Sequence, residues 1–348
     1  LISAKRGVAV DQLIALQQKI VPGLIELVET RYNILRYIRL EQPLGRRVLA
    51  AKLHLGERAV RNEVEFLKAQ GLITTDQAGM WITPEGEELL AGLEPYVRLL
   101  KGLTKTEKEL AARLGIDRVV IVPGNADRDE GVKKEIGRAT AGLLKELLTD
   151  DLVIAVTGGS TTLAVAQAMI PGKQGHKVLV VPARGGLGED VELQANTIAA
   201  ALARKLGGSY RMLHVPDYLS EETIAALLNE PRISRVVELI KSAGIVLHGI
   251  GCAQTMATQR GLNPREVQGL LDKGATGEAF GYYFDPWGRV VGGHSSIGIT
   301  LDELGQVGRV IAVAGGASKA EAIMAVVAGR PNQTLVTDQA VAESILSD

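Results

Sequence analysis

The sequence predicts an α/β protein, with an N-terminal winged helix-turn-helix domain followed by a Rossmann-like parallel-sheet domain. Three observations carry this. Only seven of the 40 glycines precede position 90, so a helical N-terminal part gives way to a loop-rich one. Residues 31–68 hold nine basic and four acidic side chains, a local excess of +5 in a chain of formal net charge −1. A field of one sign is the footprint of a DNA-binding module. After position 117 the apolar pattern changes from three- and four-residue spacing to short continuous runs separated by helical stretches. Such runs read as buried strands of a parallel sheet covered on both faces. At 348 residues the chain has room for two domains of roughly 150 residues each.

Composition narrows the function classes. The balance of 39 basic against 40 acidic residues excludes a uniformly basic nucleic-acid coat and leaves room for a basic patch. A single cysteine, Cys252, excludes a disulfide framework and any multi-cysteine zinc site, and suits a reducing compartment. Aromatic residues make up 3%, which argues against stacking platforms for single strands. Apolar runs are broken well before about 18 residues, and no basic-apolar-small leader opens the chain. The expected location is cytoplasmic, with no membrane partner.

Taken in order, residues 11–40 read as helix, with Pro22 starting a new segment at its first turn. Gly45-Arg46-Arg47-Val48-Leu49-Ala50-Ala51-Lys52-Leu53 reads as a short helix, His54-Leu55-Gly56 as a tight turn, and residues 57–70 as a second helix. That second helix is expected to present Arg58, Arg61, Asn62 and Glu65 on one side and Ala59, Val60, Val64 and Leu67 on the other. Arginine and asparagine make bidentate contacts to guanine and adenine edges. Arg46, Arg47 and Lys52 suit phosphate positioning. Two short strands, within 71–75 and 80–86, then form the wing around Asp76-Gln77-Ala78-Gly79. The competing reading is a small helical dimerisation module with a solvated basic face. Thr104-Lys105-Thr106-Glu107 reads as a capping box opening a helix to Leu114. The expected domains are 1–95 for the winged helix-turn-helix with its helical extension, 96–116 for a helical connector, and 117–348 for the second domain.

In the second domain strands are expected at 119–122, 152–156, 178–181, 245–247 and 310–313, with helices at 133–148 and 196–206. Thr157-Gly158-Gly159-Ser160-Thr161-Thr162 follows a strand and opens a helix. Glycine backbone and hydroxyl donors at a positive helix end suit an anion, although a Gly-Gly pair also serves plain turn chemistry. The loop fits neither a Walker loop nor Gly-x-Gly-x-x-Gly, which disfavours a nucleotide. Pro182-Ala183-Arg184-Gly185-Gly186-Leu187-Gly188 ends a strand and places an arginine beside flexible backbone. His248-Gly249-Ile250-Gly251 ends another strand. Ala314-Gly315-Gly316-Ala317-Ser318-Lys319 carries a lysine into the first turn of a helix, where it opposes the dipole unless an anion binds. The alternative is an exposed lysine. Such loops at strand C-termini converge on one crevice in open α/β sheets. Glu278, on an expected hairpin strand, suits sugar hydroxyls as well as it suits an ordinary surface. The five histidines show no metal-ligand spacing, and His248 and His294 read best as structural.

These stretches, in order along nearly the whole chain, resemble the SorC/DeoR-type sugar-responsive bacterial transcriptional regulators. The carrying segments are Gly45-Arg46-Arg47 through Leu72-Ile73, Thr157 to Thr162, Arg184-Gly185-Gly186, Gly277-Glu278-Ala279-Phe280-Gly281 and Gly315-Gly316-Ala317-Ser318-Lys319. The resemblance implies an effector domain similar to sugar-phosphate isomerases and deaminases. It further implies a dimeric to tetrameric repressor of glycolytic genes that binds double-stranded operator DNA and is released by fructose 1,6-bisphosphate. By resemblance, the Gly158-Gly159 loop with Ser160, Thr161, Thr162 and Lys319 holds one phosphate and Arg184 the other. Glu278 and Gln194 meet sugar hydroxyls, and Arg260 is a further contact. The resemblance implies no cofactor, no metal and no catalytic residue, because no acid–base set accompanies Glu278. The rival reading is a sugar-phosphate isomerase-like enzyme carrying an accessory DNA-binding domain.

Overall fold

The computed structural model of the protein describes residues 19–171, 177–186, 190–216, 219–293 and 296–347. The expected helical start at 11–18, the Leu187-Gly188 end of the arginine loop, and the readings of His176 and His294 lie outside the described residues. The chain forms two compact units, Leu1–Lys105 and Thr106–Asp348.

In the first unit helix α1 (Pro22–Glu41) opens with proline in its first turn, where the missing N–H costs nothing. Helices α2 (Arg46–Leu53) and α3 (Glu57–Ala69) follow, then the antiparallel pair β1 (Ile73–Thr75) and β2 (Met80–Ile82), then α4 (Pro84–Leu100). Ile34, Leu35 and Ile38 of α1 pack with Leu49, Val64 and Leu67 in one core. The α2–α3 turn differs from expectation in its chemistry. The left-handed residue is His54, at φ 52°, while Gly56 is extended and serves as the N-cap of α3. The His54 and Leu55 N–H groups close α2 on Ala51 O and Ala50 O, which holds a histidine where glycine is usual. The wing is pinned twice. Leu44 exchanges both backbone hydrogen bonds with Met80, and Asp76 accepts from the Ala78 and Gly79 N–H groups and from Trp81 Nε1. Helix α4 runs through Pro95 and is capped by the Thr83 hydroxyl.

The second unit takes in most of α5 (Leu103–Leu114). Thr104 lies inside the first turn of this helix rather than at its cap, and Glu107 Oε1 accepts the Ile121 N–H at 2.7 Å. Seven parallel strands form the main sheet in the order β3-β13-β12-β7-β4-β5-β6. They are β3 (Arg118–Val122), β4 (Val153–Val156), β5 (Leu179–Pro182), β6 (Ser209–Tyr210), β7 (Ile245–Gly249), β12 (Arg309–Val313) and β13 (Gln333–Asp338). Helices α6 (Glu130–Leu147), α7 (Ser160–Ala168) and α8 (Ala195–Leu206) contribute Ile136, Val165 and Ile198 to the core against Ile154, Leu247 and Ile311. Between β6 and β7 come α9 (Glu221–Leu228) and α10 (Pro231–Lys241). A four-stranded antiparallel sheet, β8 (Gly251–Cys252), β9 (Gly277–Ala279), β10 (Tyr282–Phe284) and β11 (Val290–Gly293), is inserted after β7 together with α11 (Ala253–Gln259) and α12 (Pro264–Asp272). The short α13 (Leu301–Leu304) precedes β12, and α14 (Ala320–Val327) and α15 (Gln339–Ser347) complete the unit. After β4 the chain moves to β5 on one side, and after β7 it moves toward β12 on the other. The direction of winding therefore reverses between adjacent β4 and β7, the usual ligand position of an open α/β sheet.

Candidate functional site

Two faces gather the residues singled out in the sequence, one in each unit. In the first unit α3 exposes Arg58, Arg61, Asn62 and Glu65 and buries Val60, Val64 and Leu67. Ala59 departs from expectation, being exposed beside Arg58. Arg46 and Arg47 are exposed on the first turn of α2. Arg47 Nε stands 3.7 Å from Glu57 Oε1, with both side chains largely in solvent, so the pair holds Arg47 weakly. Four other members of the basic run do structural work. Arg31 binds Glu63 at 2.7 Å and stacks on Phe66, Arg36 is buried, Arg39 lies 4.0 Å from Glu87, and Lys52 binds Glu41 at 2.8 Å. The charge available to a partner is thus concentrated on the exposed sides of α2 and α3.

In the second unit the loop after β4 leads straight into α7. Gly158 is required there, because a Cβ would stand 2.5 Å from Leu193 O. Gly159 caps α7 at φ 124° and donates its N–H to Leu193 O, so Gln194, which follows Leu193 as the cap of α8, is drawn against this loop. Ser160 is exposed, while Thr161 and Thr162 are buried. The Thr162 hydroxyl donates to Gly159 O at 2.8 Å, which fixes the loop. The first-turn N–H groups of a helix have no partner within it and favour negative charge.

The loop after β7 joins this one through the Gly249 N–H, which donates to Thr157 Oγ1 at 3.2 Å. Lys319 approaches the same stretch, its Nζ 3.4 Å from Ile250 O. Lys319 departs from expectation by one structural step. It ends the 3-10 turn Ala317–Lys319 and caps α14 rather than lying within its first turn. Burial pushes its ammonium below the usual lysine range, with the neighbouring Cys252 acting in the opposite sense. Asp338, at the end of β13, accepts from the Ala126, Gly316 and Val341 N–H groups. It thereby locks the Lys319 loop to the loop after β3, and Asp127 adds two bonds to Ser318. Sequence reasoning missed Asp338 and Asp127. The cue was a carboxylate at the end of a polar strand, opposite a Gly-Gly turn.

Arg184, expected beside flexible backbone, sits in a firm frame. Its neighbours Ala183 and Gly185 bond to Ile299 and Ile297, it bridges Gly298, and only 7% of it is exposed. Its guanidinium lies against Gly281, in the turn between β9 and β10. Glu278, on β9 and 4% exposed, accepts the Gly281 N–H at 2.6 Å and Arg260 Nη2 at 2.8 Å through Oε1. Glu278 also pairs in register with Gly251, two residues from Gly249. The fold therefore brings Arg184, Arg260 and Glu278 into one cluster, sets Gln194 next to the loop that opens α7, and places Lys319 against the segment that follows β7. The strand-to-strand segment 249–252 links them. His248 is fully buried against Phe280, ring centroids 4.6 Å apart, and burial lowers its imidazole to about 4. Its imidazole is therefore neutral at pH 7. A groove of about 650 Å³ flanks Arg260 on the side of Glu266, Leu270 and Lys273, away from the α7 N-terminus. The α7 N-terminus and the Gly249–Thr157 bond lie at the winding reversal between β4 and β7, where open α/β sheets hold their ligands. Among the described residues no group of three His, Cys, Asp or Glu side chains is placed to hold a metal ion.

Residues 27–97 match the CggR N-terminal DNA binding domain, and residues 99–347 match the sugar-binding domain family Sugar-bind. The chain is 45% identical to the central glycolytic genes regulator of Bacillus subtilis (strain 168) over 338 residues, covering 97% of this chain and 99% of that protein. It is 47% identical to the protein of the same name from Priestia megaterium (strain DSM 319 / IMG 1521) over 337 residues, 97% and 98% of the two chains. Among solved structures, a SorC family transcriptional regulator from Enterococcus faecalis superposes with a TM-score of 0.65 at 43% identity, covering 70% of this chain and 99% of that one. The full-length sorbitol operon regulator SorC from Klebsiella pneumoniae shares the fold, with a TM-score of 0.66 at 20% identity over 88% and 94% of the chains.

Proposed function

This chain belongs to the SorC-type family of bacterial transcriptional regulators that join a DNA-binding domain to a sugar-binding domain, and from that premise we propose that it is a repressor of glycolytic genes controlled by a phosphorylated sugar. It is a regulator and not an enzyme. Its partners are double-stranded operator DNA and a sugar ligand. It acts where its operator lies, in the cytoplasm, and among the described residues no helix is long and apolar enough to cross a membrane.

The finer reading assigns the effector as fructose 1,6-bisphosphate. The observation that supports it is a pair of cationic anchors on different loops, Lys319 against Ile250 O and Arg184 on the Gly281 turn that Glu278 holds. One phosphate satisfies one anchor, and a ligand with two phosphates satisfies both. Gln194 and Glu278 are assigned to the sugar hydroxyls. On the DNA side Arg58, Arg61 and Asn62 read bases, and Arg46 and Arg47 position phosphates. The protein works as a dimer or tetramer that spans two half-sites. The ligand acts by differing in affinity for the operator-bound and released states, since equal binding to both shifts nothing. Operator binding measured with fructose 1,6-bisphosphate and fructose 6-phosphate in parallel tests the proposal. Release by the bisphosphate at lower concentration is expected, and indifference to both sugars overturns the effector assignment.

A further inference from the structure

The turn Phe280-Gly281 joins β9 to β10 with just two residues, since Ala279 pairs with Tyr282. Both residues have positive φ, 54° for Phe280 and 82° for Gly281, as such a hairpin turn demands. A bulky aromatic residue is rare in that conformation. It is held here because its ring is buried against His248, while the Gly281 N–H is bound by Glu278 Oε1. The turn is therefore fixed from two sides. Its third contact is with Arg184. A Cβ at Gly281 would fall 2.1 Å from Arg184 Nη1, 2.7 Å from Cζ and 2.8 Å from Nη2. The three nearest atoms all belong to that one guanidinium, so the bare Cα is the surface on which the guanidinium lies.

We infer that Gly281 is a specificity-determining residue, whose missing side chain seats the Arg184 guanidinium and so creates the subsite for the second phosphate of a sugar bisphosphate. This rests on the assignment of Arg184 as the second-phosphate anchor. Gly281 touches no ligand itself and acts through the arginine. Arg184 rests on the β9–β10 turn whereas Lys319 reaches Ile250 O, so the two anchors have different supports and the two phosphate subsites are expected to separate in a binding experiment. A methyl at position 281 pushes the guanidinium off its seat and leaves the first subsite as it was.

The test measures binding of fructose 1,6-bisphosphate and fructose 6-phosphate by calorimetry to the full chain, to Gly281→Ala, to Arg184→Ala and to the double variant. Thermal unfolding serves as the folding check. The expected result is that Gly281→Ala loses about tenfold or more of the bisphosphate preference, with fructose 6-phosphate affinity within about threefold of the parent. The double variant is expected to match Arg184→Ala alone. A folded Gly281→Ala that keeps the preference overturns the inference, and so does an additive double variant. Where Gly281→Ala does not fold, removing the guanidinium in the double variant is expected to restore cooperative unfolding. A double variant that stays unfolded places the cost in the left-handed backbone and overturns the inference. A parent protein that binds both sugars equally overturns the two-anchor reading itself, and the inference with it.

Discussion

Arg260 Nη2 lies 2.8 Å from Oε1 of Glu278, and the same oxygen accepts the Gly281 N–H at 2.6 Å. One carboxylate thus ties the end of α11 to the turn that seats Arg184. Glu278 is nearly buried and Arg260 partly so, with side-chain exposures of 5% and 18%. Breaking the pair is expected to cost between the roughly 1 kcal/mol of an exposed ion pair and the roughly 3–5 kcal/mol of a buried one. Glu278→Gln keeps an acceptor for the Gly281 N–H and is expected to cost less than Glu278→Ala. Urea unfolding of Arg260→Ala, Glu278→Gln and the double variant checks this. Strict additivity of the two single changes would contradict the coupling.

The exposed side of α3 makes a second prediction. Arg61→Ala is expected to weaken operator binding by roughly 1–3 kcal/mol and random DNA much less. Arg47→Ala is expected to weaken both DNAs alike and to flatten the salt dependence, because its contact with Glu57 is too exposed to hold it elsewhere. Titrations on both DNAs at two salt concentrations separate the two behaviours. Equal loss on both DNAs for Arg61→Ala would remove base reading from that residue.

Acid stability supplies a third. Burial lowers the His248 imidazole to about 4, below its value of about 6.5 in an unfolded chain. Between those values the unfolded state binds the proton and the folded state does not. Stability from this residue is therefore complete above about pH 6.5 and is lost as pH falls toward about 4. At about 1.4 kcal/mol for each pH unit, the loss approaches about 3 kcal/mol. His248→Gln removes the titration, so the difference in unfolding free energy between parent and variant is expected to shrink from pH 7 to pH 4. Parallel stability curves over that range would show that His248 titrates alike in both states.

The α/β plan was legible because buried parallel strands write themselves as continuous apolar runs, as Ile245-Val246-Leu247 and Val310-Ile311-Ala312-Val313 do. Strand β13 was not. Gln333-Thr334-Leu335-Val336-Thr337-Asp338 sets one apolar pair between two polar pairs, and its Gln333, Thr337 and Asp338 are buried, which no period-based argument expects. The α2–α3 turn was placed correctly and its chemistry misjudged, because glycine at 56 stood beside the position that needed positive φ and histidine filled it. Arg260 and Glu278 meet in an ion pair beside the turn that seats Arg184, while Lys319 reaches the segment after β7. What the sequence could not display is how they are held: Asp127 acts on the Lys319 loop across 191 positions, Asp338 ties that loop to Ala126, 212 positions before it, and Gly281 acts on Arg184 across about 100.

The two anchors predict different losses, and this decides how the effector is read. Burial holds the Lys319 ammonium below the usual lysine range, so an arriving phosphate restores the favourable charge that burial disfavours. Lys319→Met is expected to weaken fructose 6-phosphate and fructose 1,6-bisphosphate alike, by about 1.5–3 kcal/mol, the worth of a hydrogen bond to a charged group. Affinity of the parent for both sugars is expected to fall as pH rises through the lowered Lys319 value, and the methionine variant is expected to lose that dependence. Arg184→Ala is expected to spare fructose 6-phosphate and remove the advantage of the bisphosphate. Thr162 behaves differently again, because its hydroxyl is committed to Gly159 O. Thr162→Ser keeps that bond and is expected to bind both sugars normally, whereas Thr162→Ala loosens the turn and weakens both. Each variant is expected to bind operator DNA in the absence of sugar and to be released at a concentration set by its own affinity. Calorimetry and operator titration on the same preparations read the two quantities. If Lys319→Met and Arg184→Ala lose the two sugars in the same proportion, the crevice has one phosphate subsite and the bisphosphate assignment fails.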